Sequence, residues 1–256
     1  LDYTFIRIVD IIEKKGGDIK EALIRAYSGA ILSEVVLSIK EPSIQDKSIK
    51  GKFFYIDAPI LLNALGLNDE YSVKCSKMLL KNISDLGGIL TTSNSYLEEA
   101  KHSIRSALDN YQHRGPRYSS LDYFFIKKSE NVSHARSIQN QISQELSHEL
   151  NFNLTPSLSS LDKKSISVRE KHLLEELHNE LSWYKNETAL KNDIESVAHV
   201  VAHHDYCSIS NLASSKSFLV TTNESLIESS NRLLYSKKAF NKPEMTPLLS
   251  EKKLAT

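Results

Sequence analysis

Phe53-Phe54-Tyr55-Ile56-Asp57-Ala58-Pro59-Ile60-Leu61-Leu62-Asn63-Ala64-Leu65-Gly66 is the stretch on which the fold turns. Its first four residues are a short continuous apolar run, the signature of a strand buried on both faces of a parallel sheet. Asp57 follows at the strand's end, where open α/β sheets place their chemistry. The same aspartate also reads as the N-cap of the next helix, with Pro59 in the first turn. The two readings are compatible, since a carboxylate that caps a helix at a strand end is already oriented at the sheet edge.

Downstream the pattern repeats. Glu70 to Leu86 reads as a helix stopped by Gly87-Gly88, and Ile89-Leu90-Thr91-Thr92 as a short strand. Ser93 or Ser95 then caps a helix over roughly Tyr96 to Tyr111, with Glu98 and Glu99 in its first turn. Strand, helix, strand, helix in this order predicts a parallel α/β sheet flanked by helices. Further on, Asn192-Asp193-Ile194 opens a helix, Phe218-Leu219-Val220-Thr221-Thr222 reads as a strand, Asn223-Glu224 ends it, and Ser225 to Leu234 forms another helix.

The flanks read differently. Residues 1–50 are expected to be a helical extension and linker, with breaks at Gly16-Gly17 and Pro42. Residues 113–191 are poorer in apolar residues and read as a helical insertion, with helices over Ser129 to Leu150 and Ser167 to Tyr184 and a serine-rich loop over Asn151 to Lys164. Residues 237–256, with lysines, Pro243 and Pro247, read as a tail or linker.

Composition sets the outer bounds. Of 256 residues 40% are hydrophobic and 25% charged, ordinary for a globular chain with a full core. Thirty-two basic residues balance thirty-two acidic ones, so attraction to nucleic acid must come from local patches. Cys75 and Cys207 form no motif and read as free thiols in a reducing compartment, the cytoplasm. No run approaches the ~20 apolar residues that cross a bilayer, so no membrane partner is expected. The first residue is Leu, which reads as a piece of something longer, with further domains or subunits of a larger protein as expected partners.

Asp57, Glu99, Asp193 and Asn223 each follow or open an element at one predicted sheet edge. Carboxylates that converge there repel one another and call for a cation. Hard oxygen donors point to Mg2+ or Mn2+ in preference to zinc. With these residues in view, the chain resembles the PIN-like nuclease family. The resemblance is carried by Tyr55-Ile56-Asp57-Ala58-Pro59-Ile60-Leu61, by Thr91-Thr92-Ser93 through Tyr96-Leu97-Glu98-Glu99-Ala100, by Asn192-Asp193-Ile194, and by Phe218-Leu219-Val220-Thr221-Thr222-Asn223-Glu224-Ser225-Leu226. It covers roughly residues 51–111 and 191–234, and would make residues 51–236 one PIN-like domain.

Membership implies a parallel sheet flanked by helices and metal-dependent cleavage of RNA, less often DNA. Asp57, Glu99 and Asp193 would hold the metal and orient the attacking water, with Asn223 assisting. The family usually has aspartate at the fourth position; asparagine offers a carbonyl oxygen without charge. Glu195 or Glu224 could stand in, though each reads more simply as a solvated helix residue. Glu99 is preferred over Glu98 because Leu97 and Ala100 then mark the packed side.

Lys101, Arg105, Arg114, Arg117, Lys127 and Lys128 outnumber Asp109 and Asp122, interleaved with Tyr111, Tyr118, Tyr123, Phe124 and Phe125. Such a patch suits RNA or single-stranded DNA, with Lys101, Arg105, Arg114 and Arg117 as phosphate contacts. It also reads as a solvated face with Phe124 and Phe125 in the core. His199 and His203 have a spacing that can hold zinc, but no partner is near, and they read as structural. No nucleophile elbow or phosphate-binding glycine loop is present. The leading expectation is a metal-dependent endonuclease. The alternative is a catalytically degenerate PIN-like module that binds nucleic acid or a protein partner. A purely helical interaction protein would require the Phe53 and Phe218 runs to be helix.

Overall fold

The computed structural model describes residues 49–113, 120–127, 130–155, 168–184, 186–204, 209, 214–236 and 246–251. The expected front helices, within residues 1–38, lie outside them. The elements in chain order are β1 (Phe53–Ile56), α1 (Ala58–Ala64), α2 (Glu70–Asp85), β2 (Ile89–Ser93), α3 (Asn94–Gln112), α4 (Ser120–Lys127) and α5 (Glu130–Gln144), the last extended by a π-helical turn over Glu145–Glu149. They continue with β3 (Asn153–Thr155), α6 (Val168–Glu180), α7 (Glu187–His203), β4 (Ser217–Thr221), α8 (Glu224–Ser236) and β5 (Leu248–Ser250).

The strands form one parallel sheet in the order β3-β2-β1-β4-β5, flanked by helices. The Phe53 and Phe218 runs are therefore strands, at the sheet's centre, and the purely helical reading is set aside. Phe54, Ile56, Phe218, Leu219 and Val220 are all buried, with the Phe54 and Phe218 rings 5.2 Å apart. Because crossovers are right-handed, the connections that step from β1 to β2 to β3 and the one that steps from β4 to β5 cover opposite faces of the sheet. The strand order reverses between β1 and β4. That is the topological switch point, the place where open α/β sheets bind ligands beyond the strands' carboxyl ends.

Local chemistry sets the element ends. Asp57 caps α1, accepting from Ile60 N, with Pro59 in the first turn. Asp69 caps α2, and Ser93 caps α3. After α2, Gly87 takes φ +82°, and the N–H groups of Gly87 and Gly88 close on Ser84 and Ile83 carbonyls. A side chain at Gly88 would meet Ile83 Cγ2 at 2.7 Å, so this turn admits only glycine.

Two sequence expectations are corrected. The segment over residues 113–191 is more than a helical insertion: within the stretch read as a loop, Asn153–Thr155 pairs with Thr91–Ser93 as edge strand β3. The segment read as a tail supplies β5, whose Leu248–Ser250 pairs with Leu219–Thr221 of β4. Each strand has three residues, too short for any alternation to show in sequence. No described helix is long and apolar enough to cross a membrane.

Candidate functional site

Asp57 stands at the switch point, just beyond the carboxyl end of β1. It is 4% exposed, yet both carboxyl oxygens have donors. Oδ1 accepts from Ile60 N at 3.3 Å; Oδ2 accepts from the Thr221 hydroxyl at 2.5 Å and from Thr222 N at 3.1 Å. Ile60 lies in α1, just beyond β1, and Thr221 and Thr222 lie at the end of β4, so the local capping role and the tertiary placement coincide. Threonines extend the edge: Thr92 donates to the Ile56 carbonyl at 3.0 Å, and Thr155 to the Thr92 carbonyl at 3.1 Å.

Asp193 comes from α7. That helix starts at Glu187 with Asn186 as its cap, so Asp193 sits in the second turn and not near the start as its sequence context suggests. Its Oδ2 accepts from the Tyr184 hydroxyl at 2.6 Å and its Oδ1 from the Tyr96 hydroxyl at 3.3 Å. Asn192, beside it, donates to Glu99 Oε2 at 3.0 Å. Glu99 is thus turned toward α7, whereas Glu98 faces solvent and pairs with Lys101 at 2.7 Å. Asn223 caps α8 by accepting from Leu226 N at 3.1 Å, and its amide donates to the Tyr184 hydroxyl. Glu195 lies within reach of Lys191 at 3.8 Å, one helical turn back, and Glu224 opens α8.

The electrostatics follow from burial. Burial pushes the Asp57 carboxyl up to about 7, against the lowering effect of the Thr221 and Thr222 donors, and the charge of Asp193 adds to the rise. Asp193 is pushed up to about 6 by burial, with Glu99 adding to the rise and the Tyr184 hydroxyl opposing it. Burial and the Asp193 charge hold the Tyr184 and Tyr96 phenols well above their ordinary value, so both remain donors. None of the three carboxyls forms an ion pair with a described lysine or arginine.

The donor set suits a hard divalent cation in kind, since the oxygens are carboxylates whose shared charge is unbalanced. As the side chains stand, no group of three or more His, Cys, Asp or Glu among the described residues is gathered closely enough to hold an ion.

The other candidates fall into place around this edge. His199 bonds the Tyr55 hydroxyl at 2.8 Å and His203 the Ser217 hydroxyl at 3.0 Å, packing α7 onto β1 and β4 as structural residues. Burial takes the His199 imidazole down to about 4. Of the basic patch, Lys101 is engaged by Glu98, and Arg105 faces a groove of about 430 Å³ between α3 and α5, lined also by Asp109, Gln112, Arg136 and Asn140. Arg114 and Arg117 lie outside the described residues. Phe125 is fully buried and Phe124 half-buried, so these rings belong to packing. Cys75 is a free, half-buried thiol, and Cys207 is outside the described residues.

Sequence reasoning missed Tyr184, Tyr96, Thr221 and Asn192 as parts of the site. Only Asn192 carried a signal, its position beside Asp193; the tyrosines and Thr221 act across tertiary contacts with no local mark. No known family, curated protein or solved structure matches the chain.

Proposed function

We propose that the chain is a metal-dependent endonuclease that hydrolyses phosphodiesters in RNA or single-stranded DNA. One observation carries this reading: Asp57, Asp193 and Glu99, from three separate elements near the switch point, act on one another electrostatically in sequence, the first two raised to about 7 and 6, with no described lysine or arginine to balance them. Clusters of this kind suit a cation. Asp57, Glu99 and Asp193 would hold Mg2+ or Mn2+, and Asn223 would assist. The ion would supply Lewis-acid polarisation of the phosphodiester and an activated water. The resemblance to PIN-like nucleases supports the same reading, since it implies a parallel sheet flanked by helices with these residues at its edge.

The chain's own residues have distinct tasks in this reading. Thr221 and Thr222 fix the rotamer of Asp57, and Asn192 orients Glu99. Tyr96 and Tyr184 hold Asp193 by donated protons, and an ion at Asp193 would compete with the Tyr184 hydroxyl for Oδ2.

A second reading, a degenerate PIN-like module within a larger assembly, is favoured by Asn223. Its oxygen is committed to the α8 cap and its amide donates to Tyr184, so the fourth position presents a donor in place of an anion. Cleavage of labelled single-stranded RNA and DNA with Mn2+ or Mg2+, run beside Asp57→Asn and paired with Mn2+ equilibrium dialysis, separates the two. The nuclease reading expects ion-dependent cleavage that disappears in the variant. A folded wild-type chain that neither cleaves nor binds Mn2+ would sink it in favour of the module.

A further inference from the structure

Trp183 is the chain's sole tryptophan, and it stands 51% exposed on the turn between α6 and α7. The turn's first residues are tied back to α6. Leu181 is fully buried, its N–H reaches the Leu177 carbonyl at 2.9 Å, and Tyr184 N reaches the Leu181 carbonyl at 3.1 Å. The indole leans on the Tyr184 ring, with centroids 4.5 Å apart and planes tilted 40°. Tyr184 in turn carries its hydroxyl to Asp193. A large apolar ring is thus presented to solvent beside the tyrosine that holds Asp193.

From this juxtaposition we propose that Trp183, backed by Tyr184, is a stacking platform for a base of single-stranded nucleic acid, the base next to the phosphodiester offered to Asp57, Glu99 and Asp193. The proposal rests on the nuclease reading of that cluster and adds how the strand is held. The local charge dictates the kind of contact. Carboxyls at the sheet edge repel a phosphate backbone, so affinity beside them must come from a neutral contact, and base–aromatic stacking is one that tolerates any sequence. A rigid, amphipathic ring supplies this at low entropic cost.

Because Trp183 is the only indole, its fluorescence reports on this one position. The test titrates the full chain, in chelator so that no strand is cut, with oligothymidylate and with an abasic oligonucleotide of the same length and charge. Binding is followed by polarisation of an end label. Oligothymidylate is expected to quench Trp183 saturably and to bind roughly 5- to 150-fold more tightly than the abasic strand. Trp183→Ala should bring oligothymidylate binding down to the abasic level, while Trp183→Phe retains most of it. Equal binding and equal quenching by the two strands would overturn the platform and leave the strand held by phosphates alone. No response to either would overturn it in favour of a protein partner for the exposed ring. Base-dependent quenching by a chain that cleaves nothing with Mn2+ would keep the platform and remove the nuclease reading.

Discussion

Thr221, the last residue of β4, donates its hydroxyl to Asp57 Oδ2 at 2.5 Å and so ties the two strands that part at the switch point. The bond favours the ionised carboxylate, against the burial that disfavours it. Thr221→Val removes the donor and leaves a buried oxygen short of a partner, a cost of about 1–3 kcal/mol. The loss should be larger at pH 8, where Asp57 is ionised, than at pH 5, where it is protonated. Thermal melts at both values check this, and Thr221→Ser should restore the wild-type profile. A valine variant as stable as wild type at both pH values would show that the bond contributes nothing.

Asp57 has a second, opposite pH signature. Its folded pKa, about 7, lies above the ordinary carboxylate value, so the folded chain holds the proton more tightly than the unfolded chain. The contribution of Asp57 to stability is therefore fully present at low pH, declines as pH rises from about 4, and is lost through about 7. Asp57→Asn has no such decline and still caps α1. In chelator, the Tm difference between variant and wild type should shift in the variant's favour by several degrees from pH 5 to pH 8. Added Mn2+ should raise the wild-type Tm and leave the variant's unchanged. A difference that stays flat with pH would contradict the raised pKa.

Asn223 offers a test in the other direction. Asn223→Asp keeps the α8 cap, since aspartate accepts from Leu226 N as well as asparagine does. It also places a fourth carboxyl beside Tyr184 and Asp193. Without divalent ions the variant should melt lower at pH 8, and with Mn2+ it should bind at least about tenfold more tightly than wild type, roughly 1.4 kcal/mol. Melting curves in chelator read the first quantity and calorimetric titration with Mn2+ the second, and unchanged affinity would place Asn223 outside any ion's reach.

Residues 246–251 form more than an appendage. Leu219 N donates to the Pro247 carbonyl at 2.8 Å, Leu248 is buried, and Ser76 donates to Glu251 at 2.7 Å. Deleting residues 237–256 should lower the Tm by on the order of 10 °C and favour aggregation through the bared edge of β4. Melting curves and light scattering of the truncated chain check this; a free tail would leave both unchanged.

The central three strands were legible because their apolar runs are continuous and their helices carry cap residues, Asp57 and Ser93 among them. The edge strands were not. Asn153-Leu154-Thr155 and Leu248-Leu249-Ser250 each pair along one side only, so neither needs the apolar density that marks a central strand. The side of α3 that Glu99 occupies was readable from Leu97 and Ala100, both buried. The start of α7 was misplaced because Asn192 and Asp193 offer the same capping chemistry as Asn186, the actual cap six residues earlier. Contacts such as Tyr184 with Asp193 or Thr221 with Asp57 depend on how the sheet is ordered, and no local pattern encodes that.

The strand order also has a consequence during synthesis. β1 leaves the ribosome well before β4, one of its two neighbours, and Thr221 follows Asp57 by 164 residues. Nascent chains fold as their segments emerge, and pairings this distant form late. Until β4 arrives, Asp57 lacks both of its Thr donors and much of its burial, and its acidity is that of an ordinary aspartate. The acid cluster acquires its shifted protonation only once β4 has paired with β1, which makes the site itself a marker of that pairing.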